Sequence, residues 1–117
     1  MLAAAIALAF TSAPSEMGTN ISLLRMCQQR NGGEPVMEML YCAAYIGGVI
    51  DGHRIAMDFA ETEALYCTPP EGISVEQGVR LFVAWAESPE NADKLHLSEK
   101  TGVTLALMAA FPCDKAR

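Results

Sequence analysis

The chain has 117 residues, 51% of them hydrophobic, which gives room for one domain with one packed core and argues against a disordered chain. Its 14 acidic and 8 basic residues leave a formal charge of −6. No stretch holds the dense Lys/Arg cluster that phosphate neutralisation needs, so nucleic acid is excluded as a partner.

Residues 1–10 form an unbroken apolar run. It is too short to span a bilayer, which takes roughly 20 residues, but it fits the hydrophobic region of a secretory signal peptide. The small and polar stretch 11–15 follows it, and a cut before Glu16 or after Ala13 is expected. Residues 1–15 therefore read as an export segment, with its basic part expected upstream of Met1, and residues 16–117 as a single periplasmic domain without membrane attachment.

That domain reads as all-α, a small disulfide-stapled bundle of about four helices. Thr19 or Asn20 can cap a first helix with Ile21, Leu24 and Cys27 on one face, and Asn31-Gly32-Gly33 stops it. Pro35 suits the first turn of a long second helix that reaches about residue 62. From Val36 to Ile50 this helix is apolar nearly all round, as expected of the centre of a bundle, with Met37, Met39 and Met57 as core filler. Along one side Ala44, Gly48, Gly52, Ala56 and Ala60 recur every four residues. Glycine inside a helix costs about 1 kcal/mol relative to alanine, so the stripe implies close approach of another helix, from the same chain or from a second copy in a homodimer. Leucine at Gly48 or Gly52 is then expected to overpack the fold or to break the dimer.

Ser74-Val75-Glu76-Gln77 is a capping-box pattern opening a third helix, whose apolar stripe is Val75, Val79, Phe82, Val83 and Ala86, and Pro89 ends it. A polar loop, residues 88–97, leads to a fourth helix capped by Ser98, with Val103, Leu107, Ala110 and Phe111 at helical spacing and Pro112 closing the run. Loops on a rigid scaffold are the default place for recognition, which makes Glu90, Asn91, Asp93, Lys94 and His96 the candidate partner-binding residues. The polar stripe Asp51, Arg54 and Asp58 on the second helix is the alternative.

Four cysteines, Cys27, Cys42, Cys67 and Cys113, are an even number in an exported domain and point to two disulfides. Their spacings of 15, 25 and 46 residues form no compact zinc-ligand pair, and His53 and His96 sit in no ligand motif, so neither metal nor cofactor is expected. Oxidised cysteines also leave no thiolate nucleophile, and no nucleophile–base–orienter set is found. A binding protein is expected, not an enzyme.

Three segments carry a resemblance. The first is Gly18-Thr19-Asn20 with Leu23-Leu24 and Cys27; the second is Cys42, Tyr45-Ile46, Gly48 and Asp51. The third runs from Cys67 through Pro69, Gly72-Ile73-Ser74 and Gln77 to Ala110-Phe111-Pro112-Cys113. In their order, with all four cysteines in register, the chain resembles the Rap/Tai family of type VI secretion immunity proteins. It departs from that pattern at Ala43-Ala44 and at Ala84-Trp85-Ala86. The resemblance implies a periplasmic protein that binds a secreted peptidoglycan amidase and covers its active site, although some members of the family have no toxin partner. A small helical periplasmic chaperone of the acid-stress type, exposing apolar surface when protonated, is the rival class. A neighbouring amidase gene separates the two.

The bridges expected are Cys27–Cys42 and Cys67–Cys113. A short turn makes the first two helices antiparallel, which sets Cys27, late in one, beside Cys42, two turns into the other. Cys67 and Cys113 then remain, each just beyond a helix end.

Overall fold

In the computed structural model the described residues are 17–31, 34–60 and 63–114, with the side chains of 30, 31, 34 and 35 left aside; the export-like segment 1–15 and Gly32-Gly33 lie outside them. Thr19 caps the first helix, α1 (Asn20–Cys27), its hydroxyl accepting the Ser22 N–H at 3.3 Å. The chain then makes a two-residue antiparallel ladder, β1 (Arg30–Asn31) with β2 (Glu34–Pro35). This corrects the expected place of Pro35. Paired opposite Arg30, it ends the hairpin, and the long helix α2 (Met37–Phe59) starts two residues later behind Val36. At its other end α2 stops at Phe59, because Ala60 is extended at φ −118 and ψ 141.

The capping box at Ser74 is real on its forward side: the hydroxyl accepts the Gln77 N–H at 3.0 Å and opens α3 (Val75–Glu87). The expected polar loop is largely a 3-10 helix, Pro89–Lys94, with proline at its start. Ser98 then caps α4 (Glu99–Ala110), accepting the Thr101 N–H at 3.4 Å. The fold is the all-α stapled bundle expected.

α3 packs against all three other helices, so its apolar stripe supplies the middle of the core. Val79, Phe82 and Ala86 from α3 meet Leu23 of α1, Ile46 and Ile50 of α2, and Val103 and Leu107 of α4. Both disulfides pair as expected, with Cα–Cα separations of 5.1 Å for Cys27–Cys42 and 4.9 Å for Cys67–Cys113. In the chain-entropy model the two closures contribute about 3 and about 4 kcal/mol. The first bridge is buried in the core, whereas Cys67 is exposed and holds residues 63–67 to the end of α4, where its N–H also donates to the Phe111 carbonyl at 2.9 Å.

Helix α2 is not the buried centre that its composition suggested. Only Cys42, Ile46 and Ile50 are buried, one side chain per turn along a narrow stripe. Met37 is 74% exposed and Phe59 85%, and Leu40, Tyr41 and Ile55 are exposed as well, so Met37 is not core filler. The reason is geometric: three shorter helices packed together have only one face to offer a helix about 34 Å long. The small-residue stripe Ala44, Gly48, Gly52 and Ala56 lies on the exposed side, Ala60 falls beyond the helix end, and a Cβ at Gly48 or Gly52 would meet nothing within 4 Å among the described residues. No helix among the described residues covers it.

The glycines that permit the closest approach are Gly78 and Gly102. A Cβ on Gly78 would lie 2.9 Å from Ile46 Cγ2 and Ile50 Cδ1, so this glycine lets α2 seat on α3. A Cβ on Gly102 would collide with the carboxamide of Asn20, a fully buried side chain in the first turn of α1.

Candidate functional site

The candidate loop is a ridge whose two ends are gripped by the fold. At its start, the Asn91 side-chain amide donates to the Trp85 carbonyl at 2.9 Å, and the Asn91 N–H to the Ser88 carbonyl at 2.9 Å. Ser88 Oγ accepts the Glu90 N–H at 3.4 Å. Beyond the 3-10 helix, the open N–H groups of α1 take over: Asn20 N donates to the Leu97 carbonyl at 2.9 Å and Ile21 N to the Leu95 carbonyl at 3.0 Å. The Glu99 N–H returns to the Gly18 carbonyl at 2.8 Å, and the Asn20 side chain donates to the Lys94 carbonyl at 2.9 Å. Sequence reasoning offered Asn20 only as a cap. Its actual role is to hold the far end of the ridge from inside the core.

Of the five residues singled out on this segment, Glu90, Asp93 and His96 are exposed. Asn91 and Lys94 are half-buried: the Asn91 amide is spent on α3, and the Lys94 ammonium lies 3.4 Å from the Asp93 carboxylate. The ridge therefore presents a mixed polar crest on a backbone that is tied at both ends.

A second polar surface lies along α2. Asp51, Arg54 and Asp58 border a hollow of about 530 Å³ whose opposite wall is the segment from Cys67 to Ile73. At its base the rings of His53 and Tyr66 stack, with centroids 3.9 Å apart and planes inclined by 17°. Burial lowers the pKa of His53 and raises that of Tyr66, favouring the neutral form of each. A second hollow, about 460 Å³, lies over Gly52 and Ala56 with Leu65 and Thr104 across from them, and His53, Met57 and Tyr66 line both.

A third feature escaped the sequence. Tyr41, on α2, donates its hydroxyl to Glu99 at 3.1 Å, and Glu99 is buried in the first turn of α4. Burial first, and then the Glu99 charge, hold the Tyr41 pKa above its ordinary value. Residues 41 and 99 stand 58 apart in the chain, and no local pattern links them.

Among the described residues no group of three His, Cys, Asp or Glu side chains is placed to hold a metal ion, and no helix is long and apolar enough to cross a membrane. Comparison with family models gave a match, over residues 19–113, to the model described as Rap1a immunity proteins. Neither the curated proteins nor the solved structures compared gave a match.

Proposed function

Because the chain belongs to the Rap1a immunity protein family, we propose that it neutralises a type VI-secreted peptidoglycan amidase in the periplasm by covering the catalytic cleft. The observation that carries this reading is the tied ridge 88–97. A segment fixed by side-chain and backbone bonds on both flanks loses little conformational freedom when it enters a cleft. Glu90, Asp93 and His96 are the exposed groups available to the partner, with Asn91 and Lys94 shaping the backbone between them. Such occlusion needs no catalysis by the immunity protein. Two disulfides in so small a domain suit an oxidising compartment, which supports export.

The exposed side of α2 supports a second element of this reading, a homodimer. Large apolar residues stand at both ends of the face, Met37, Leu40 and Tyr41 at one and Ile55 and Phe59 at the other. Ala44, Gly48 and Gly52 lie between them. Such a face is complementary to its own antiparallel copy, because the small centres let two helices cross closely while the large ends pack over each other.

The decisive experiment exports the amidase encoded beside this gene to the periplasm, with and without this protein. Survival only in its presence is the expected result. Equal lysis in both cultures would overturn the reading for that pair.

A further inference from the structure

The groove beside the His53–Tyr66 ring pair takes no part in the ridge. It opens at the start of α3, whereas the ridge follows its end, and the 13 residues of that helix put about 20 Å between them. Tyr66 is 1% exposed, yet its hydroxyl has no hydrogen-bond partner among the described residues, and the same holds for His53 Nε2. Buried polar groups are nearly always paired, so two orphans on adjoining rings of one groove mark a place where an incoming polar group is accommodated. The groove floor is apolar, from Ile50, Met57 and Ile73, and its rim is charged. Asp51, Asp58 and Glu71 outnumber Arg54, and none of the four makes an ion pair among the described residues.

We propose that this groove receives an extended basic peptide segment of the protein partner, an apolar side chain seated against Met57 and Ile73 and a flanking Lys or Arg facing Asp58 and Glu71. The proposal rests on the reading that the partner is a protein. The two orphaned atoms are sealed from solvent in the free protein, so the rings must part as the segment enters, and the Tyr66 hydroxyl and His53 Nε2 then meet the N–H and C=O groups of an extended backbone, which carries one of each per residue. The acidic rim selects for the basic flank and against an acidic one.

The test is a titration of the isotopically labelled mature protein, followed by backbone amide NMR, with the blocked tripeptide Ac-Lys-Leu-Lys-NH2 and separately with Ac-Glu-Leu-Glu-NH2. The basic peptide should shift resonances in residues 50–58 and 64–73 and leave 88–97 in place. Asp58→Lys and Glu71→Lys should each weaken it by about two- to fivefold, as expected for exposed charge contacts. Added salt should weaken binding to the unaltered protein, a readout that stands even if a variant misfolds. Equal binding of the acidic peptide, shifts centred on 88–97, or no shifts at all would overturn the proposal. The amidase protection experiment is independent of this one. Protection without peptide binding removes the groove alone, and peptide binding without protection leaves the groove with a different protein partner.

Discussion

Replacing Gly102 with alanine tests how the ridge is held. The added Cβ falls on the Asn20 carboxamide, which is fully buried and cannot turn to solvent, so the side chain must withdraw or α1 and α4 must part. Forcing a methyl group into a packed core costs about 1–3 kcal/mol. Breaking the Asn20–Lys94 bond while its amide stays buried costs about 1–3 kcal/mol more. Helix propensity returns about 1 kcal/mol, since alanine is the better helix former. The net expectation is a loss of about 3 kcal/mol, a fall in Tm of roughly 10–20 °C for a domain of this size. Urea and thermal unfolding of Gly102→Ala measure it. The double variant Asn20→Ala with Gly102→Ala should recover part of the loss, because the atoms that collide are gone, and a double-mutant cycle reports that coupling. A Tm that stays level or rises in the single variant is what propensity alone gives, and it would refute the account of Asn20 as the internal tie of the ridge.

Glu90→Lys with Asp93→Lys should weaken amidase binding by about two- to fivefold per charge and change its salt dependence, with Tm nearly unmoved; calorimetry that finds the same affinity and salt slope removes the crest from the interface. Limiting reductant should open Cys67–Cys113 before Cys27–Cys42, since Cys67 is exposed while Cys27 and Cys42 are buried. Mass mapping of alkylated cysteines at partial reduction checks the order, and early labelling of Cys27 or Cys42 would contradict it. Gly52→Leu meets open space in the single chain, so it should leave the fold intact, with up to about 1 kcal/mol of added helix stability, while separating the dimer. Light scattering that shows an unchanged dimer would exclude the α2 face as the seam.

Features encoded within a few residues of one another were legible in the sequence. The caps at Thr19, Ser74 and Ser98 each need only a hydroxyl three residues before the amide it accepts. The cysteine pairing followed from one antiparallel turn. Pro35 was legible as punctuation but not in kind: proline suits a helix start and the end of a short hairpin alike, and only the pairing of residues 30–31 with 34–35 decides between them. Hydrophobic content likewise announced α2 as a helix without saying how many neighbours it would have. Burial of its whole circumference needs partners on every side, and the described chain supplies one face.

The glycines show where local reasoning stops. A glycine every fourth residue marks a face on which something could come close, but it carries no information about what the rest of the chain brings there. Gly48 and Gly52, conspicuous by their spacing, meet nothing among the described residues, while Gly78 and Gly102, isolated in their helices, are where α2 seats on α3 and where Asn20 enters. The same holds for the site. Exposure of Glu90 and Asp93 could be read from a polar run between two caps, but the bonds that hold its far end come from Asn20 and Ile21, more than 70 residues earlier. His53–Tyr66 and Tyr41–Glu99 are contacts of the same long-range kind. Because α3 touches every other helix, ridge and groove hang from its two ends on one core. A substitution that loosens α3, such as one at buried Phe82, should therefore weaken both surfaces together, whereas the surface variants separate them.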